Sequence, residues 1–120
     1  YTAMLANNQD VFKAVIDADC VYISVIVVGE LLAGFKMGSR EKQNCKDLQS
    51  FLEKSTVKIV NATMATAEIF SEVKRRLKHK GTPIPVNDMW IAAHAIETGS
   101  YLISMDKHFK DIPALLVWEN

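Results

Sequence analysis

Three carboxylates, Glu30, Asp88 and Asp106, each sit in a setting that invites chemistry. In Thr82-Pro83-Ile84-Pro85-Val86-Asn87-Asp88, the prolines fix their own φ angles and hold Thr82 and Ile84 extended, so the chain cannot turn helical before Val86 or Asn87. Asn87 is a favoured N-cap, and Asp88 in the first turn meets the positive end of the helix dipole. That role explains Asp88 about as well as a catalytic one. However, Ile91, Ala92 and Ala95 share its helical face, so Asp88 points along a surface that seeks burial, where a carboxylate needs a partner or a cation. Glu30 poses the same question. Its neighbours on a helical face are Ile26, Val27, Ala33 and Gly34, an apolar, close-packing stripe on which an unpaired acid is costly. Asp106 reads equally as a site residue and as the N-cap of a turn over residues 107–110.

Carboxylates about 4 Å apart repel by about 4 kcal/mol at an effective dielectric of about 20, so an empty cluster would protonate or splay. A divalent cation removes the conflict. Oxygen donors without Cys or His favour Mg²⁺ or Mn²⁺, which keep waters and accept phosphate oxygens. Such a centre activates water and neutralises charge growing on a phosphodiester.

The elements that must position these acids alternate in type. Residues 21–25 form an apolar, β-branched strand that passes into a helix carrying Glu30 and ending at Gly38. Residues 39–54 form a polar helix with Leu48, Phe51 and Leu52 inward, and residues 57–60 a second strand. A long helix over 63–80 places Ala67, Phe70, Val73, Lys74 and Leu77 in register and stops at Gly81. The Asp88 helix closes at Gly99, residues 101–104 form another strand with Asp106 just beyond, and residues 115–118 a last one. Before them, residues 1–6 are helix-compatible, and residues 10–18 form a short amphipathic helix. Strands alternating with helices predict an α/β fold whose parallel sheet binds ligands at strand carboxyl ends, where strand order reverses.

The whole chain, residues 1–120, fits a single domain. Fourteen basic and fourteen acidic side chains cancel, so any nucleic-acid partner must be recognised locally. The one dense basic run contains Lys74, Arg75, Arg76 and Lys78; cations belong in a last helical turn, and RNA phosphate contact is the second reading. Cys20 and Cys45 form no CxxC pair or ligand cluster and read as reduced thiols. No apolar run approaches the roughly 18 residues of a membrane span, and a cytoplasmic location without membrane attachment is expected. His94 and His108 lack ligand spacing and read as surface or packing residues.

Residues 24–34 with Glu30, 85–95 with Asn87 and Asp88, and 103–109 with Asp106 resemble the three downstream acidic motifs of PIN-domain ribonucleases, and most of all VapC-like toxins of type II toxin-antitoxin pairs. The resemblance covers nearly the whole chain. It implies a three-layer αβα domain with a mostly parallel sheet and an Mg²⁺- or Mn²⁺-dependent endoribonuclease. That enzyme would cut structured RNA such as tRNA or rRNA, inhibit translation, form a homodimer and be neutralised by a cognate antitoxin whose tail fills its groove. Carried over, Glu30, Asp88 and Asp106 hold metal and orient the attacking water, with Ser104 and Asn87 in support. The family's first strand, central in the sheet and ending in an Asp, does not match residues 1–6; the expectation is that it precedes Tyr1 or is supplied by a neighbouring chain. That departure keeps an alternative open: a non-catalytic PIN-like scaffold or an inactive truncated nuclease. A phosphoacceptor receiver or phosphatase domain fits poorly, because neither Ile23-Ser24 nor Val60-Asn61 offers the acceptor Asp.

Overall fold

A computed structural model describes residues 1–6, 18–104 and 106–118. The helix expected over 10–18 lies, apart from Ala18, outside the described residues.

Five strands form one parallel sheet: β1 (Thr2–Leu5), β2 (Cys20–Ser24), β3 (Val57–Val60), β4 (Tyr101–Ile103) and β5 (Leu116–Val117), in the order β3-β2-β1-β4-β5. Among the described residues four α-helices flank it: α1 (Val25–Lys36), α2 (Glu41–Leu52), α3 (Met64–Lys80) and α4 (Val86–Thr98). The α/β architecture expected from the alternation, and the mostly parallel sheet implied by the resemblance, are therefore present.

The first residues depart from expectation. Thr2–Leu5 is the central strand rather than the start of a helix, with Leu5 in register with Ile23 on one side and Ile103 on the other. Ala3, Met4, Leu5 and Ala6 are all buried. Ala, Met and Leu are good helix formers, but two parallel ladders and burial of both faces outweigh a propensity difference of at most about 0.7 kcal/mol per residue. The chain thus fills the sheet centre itself. Strand order reverses between β1 and β4, the kind of crevice where such sheets take ligands.

Local chemistry explains the helix ends. Ser24 caps α1 by accepting from the Ile26 N–H at 3.0 Å. Thr63 and Thr66 form a reciprocal capping box on α3, and Thr66 donates to Glu97 of α4 at 2.5 Å. Gly81, at φ 73°, ends α3 in the left-handed region that a side chain would disfavour. α3 and α4 pack closely, with Phe70 stacked on Trp90 at 4.0 Å between ring centroids. Val73 and Leu77 carry the buried stripe of α3, whereas Lys74, expected in register with them, is exposed. Leu48, Phe51 and Leu52 of α2 are half-buried, as an inward stripe on a polar helix should be. No helix among the described residues is long and apolar enough to cross a membrane.

Candidate acidic site

α1 leaves the carboxyl end of β2 and carries Glu30; α4 begins at that edge of the sheet with Asn87 and Asp88; β4 ends beside it and is followed by Asp106. Pro85, not Asn87, takes the N-cap position of α4. The Pro φ suits a helix start, and the shift frees the Asn87 side chain. Asn87 Nδ2 donates to Glu30 Oε2 at 3.3 Å, tying α4 to α1.

Asp88 is the most enclosed of the three acids. Ile91, Ala92 and Ala95 on its face are fully buried, and its own side chain keeps 18% exposure. Burial pushes its carboxyl above the ordinary carboxylate range. His108 opposes that through charge and a hydrogen bond, while the nearby Asp106 carboxylate adds to it. His108 Nε2 stands 3.0 Å from Asp88 Oδ2.

Asp106 occupies the N-cap position of a 3-10 turn (Lys107–Asp111), yet its side chain makes no capping hydrogen bond. Its backbone N–H instead donates to Ser104 Oγ at 3.0 Å, so Ser104 shapes the turn that presents the acid. Glu30 is exposed; of the stripe expected to pack around it, Val27 is buried and Ile26 half-buried, whereas Ala33 and Gly34 lie open. The cause is α1 itself, apolar on more faces than the sheet and α2 cover.

The three acids thus gather at one edge, Asp88 within electrostatic reach of Asp106 and Glu30 linked through Asn87. Among the described residues, no three His, Cys, Asp or Glu side chains close on a single point as a ready-made metal shell. The donor chemistry still suits a hard cation. A half-buried carboxylate, its like-charged neighbour and an exposed third acid offer only oxygens, and water completes such shells. Residues 1–6 contribute no carboxylate at the end of the central strand.

His108 is the residue that sequence reasoning missed. Its position two residues after Asp106, on the same turn, was the available signal; a search for paired ligand spacing passes over it. In the basic run, Arg75 and Arg76 both bind Glu72, at 2.5 and 2.9 Å, and hold its carboxyl down at about 2. Lys74 and Lys78 are exposed.

A PIN domain family model matches residues 6–115. The ribonuclease VapC2 of Rickettsia felis is 34% identical over 98 residues, covering 81% of this chain and 72% of that protein. VapC2 of Haemophilus influenzae is 32% identical over 94 residues, 78% of this chain and 70% of that protein. Among solved structures, the crystal structure of VapBC2 from Rickettsia felis bound to a promoter DNA fragment matches with a TM-score of 0.85 at 27% identity, covering 98% of each chain. VapBC-1 from nontypeable Haemophilus influenzae shares the fold, with a TM-score of 0.82 at 22% identity over 99% of this chain and 98% of that one. Sheet order, the acids at its carboxyl edge and these likenesses agree: the chain belongs to the PIN-domain family, as a VapC-like member.

Proposed function

We propose that the protein is a metal-dependent endoribonuclease toxin, with Glu30, Asp88 and Asp106 as its catalytic and metal-holding acids. The observation that carries this reading is Asp88: a half-buried carboxylate, raised by desolvation and by Asp106, at the reversal point of a PIN-family sheet. The names of its relatives, ribonucleases VapC2, support RNA as the substrate. Mg²⁺ or Mn²⁺ held by the three acids would supply charge neutralisation and a more acidic water. Asp88 and Asp106 would orient that water toward the phosphorus, Asn87 would hold Glu30 in line, and Ser104 would keep Asp106 on its turn. Lys74 and Lys78 are the better-placed cations of the basic run for RNA phosphates, since Glu72 already engages Arg75 and Arg76.

A cognate antitoxin is the expected partner, in line with the VapBC structures the fold matches. α1 also exposes Val25 and Leu32, seven residues apart on one helical face, an apolar surface that such a partner would cover. Homodimerisation, a cytoplasmic location, tRNA or rRNA as target and inhibition of translation complete the proposal. Transcript mapping after controlled expression tests it: discrete cuts in a tRNA or rRNA are expected with the parent chain and none with Asp88→Asn. Equal cutting by a folded Asp88→Asn variant would overturn the assignment.

The spacing of the acids and the lack of a carboxylate in residues 1–6 favour a second reading, a scaffold that holds RNA or a partner without cutting. Mn²⁺ titration separates the two. A scaffold binds Mn²⁺ equally before and after Glu30, Asp88 and Asp106 are changed to Gln or Asn.

A further inference from the structure

We propose that His108 is a positioning residue of the acidic site: it holds one oxygen of Asp88 by a hydrogen bond and thereby presents the other to the cation. The inference rests on the metal-dependent reading above and adds a group that the three acids leave out.

The contact spans 20 residues, with His108 Nε2 and Asp88 Oδ2 3.0 Å apart. An ionised carboxylate only accepts, so Nε2 carries the hydrogen, whatever the charge on the ring. Asp88 Oδ1 has no hydrogen-bond partner among the described residues.

The ring is held rather than loose. It lies against Phe109, 4.7 Å between centroids, and Phe109 is buried to 1% exposure. The turn that carries it is fixed at its start by the Asp106 N–H on Ser104 Oγ and at its end by Lys80 Nζ, which donates to the Asp111 carbonyl at 3.2 Å. A turn anchored before, within and after His108 can set the angle of the Asp88 carboxylate.

The neighbouring residue does the same on the other side. Asn87 donates to one oxygen of Glu30, so two adjacent residues of α4 link to α1 and to the 3-10 turn, each link engaging one oxygen of an acid. Outer hydrogen bonds of this kind fix the orientation of metal-ligating groups, and their loss typically costs about 10- to 100-fold in metal affinity or activity.

The test is Mn²⁺ binding by titration calorimetry on the full chain, with RNA cleavage as a second readout. His108→Ala is expected to weaken Mn²⁺ binding by about 10- to 100-fold, and His108→Gln, whose amide can donate from a similar reach, to recover most of it. If the Ala variant does not fold, as judged by circular dichroism, His108→Leu against His108→Gln gives the same comparison. Mn²⁺ binding that is unchanged or tighter without the ring overturns the inference, because His108 would then be a bystander or a competitor for Asp88. A Gln variant that behaves like the Ala variant overturns it as well. Asp88→Asn keeps the two levels apart: unchanged Mn²⁺ binding there sinks the metal-site reading itself. Loss there, with no loss at His108→Ala, removes only the role of His108.

Discussion

Asn87 and Glu30 lie 57 positions apart and meet through a 3.3 Å hydrogen bond from Nδ2 to Oε2. An exposed bond of this length contributes about 0.5–1.5 kcal/mol, equivalent to about a 2- to 12-fold effect on rate. Asn87→Ala is therefore expected to slow RNA cleavage within that range and to lower the thermal midpoint by no more than a few degrees. Steady-state cleavage of a mapped substrate, paired with a melting curve, checks both; a large drop in the midpoint would mean that Asn87 supports the fold instead.

Asp88 sets function against stability. Its folded-state pKa is raised, chiefly by burial, so its contribution to stability is present below the unfolded value of 3.8 and lost as pH rises through the folded value. At pH 7 the ionised side chain therefore works against the fold. Asp88→Asn should melt no lower than the parent in chelator at about pH 7 while losing cleavage, and its advantage should vanish in acid. A variant that melts clearly lower at neutral pH contradicts this.

Glu72 binds Arg75 and Arg76 together, and its carboxyl sits at about 2, first through the hydrogen bond from Arg75 and then that from Arg76. The stabilisation exists above the ordinary value of 4.5 and is lost as pH falls toward about 2. All three side chains are solvent-exposed, so salt should screen the effect. Glu72→Gln is expected to lower the melting temperature slightly at low ionic strength, with the difference closing near 1 M salt, where the Debye length is about 3 Å. The same change releases two arginines and should steepen the salt dependence of RNA binding, read by filter binding across a salt series.

His94 on α4 is buried, with Nε2 unpartnered among the described residues. Burial pushes its pKa below 6.5, with Glu97 pulling weakly the other way. Below 6.5 the unfolded chain takes up a proton that the folded chain resists, so stability falls as pH drops from there toward the folded value. Urea midpoints should decline between about pH 7.5 and 5.5, and His94→Met should flatten that decline. An equally steep decline in the Met variant would assign it to other groups.

How much of this was legible in the sequence depends on how local each determinant is. Caps and stops are local, so Thr63, Gly81 and Gly99 mark helix ends that the structure keeps. The apolar face behind Asp88 is periodic over two turns and was equally readable. Thr2–Leu5 was not, because a segment in which Ala3, Met4 and Leu5 are helix formers becomes a strand only when two distant strands pair with it. The exposure of Glu30 was hidden for the converse reason: a helix apolar on most faces does not declare which face its neighbours cover. His108 was out of reach because its role is a contact with Asp88, and neither residue signals the other along the chain.

The central position of Thr2–Leu5 also bears on when the acidic edge comes into being. A ribosome, at about 5–20 residues per second, delivers this strand well before one of its two partners, Tyr101–Ile103. A nascent chain that already contains Glu30 and Asp88 still lacks the strand that brings Asp106 and His108 alongside them. Assembly of the edge therefore waits for synthesis of β4, and the long sequence separation across β1 and β4 makes that closing step a slow one.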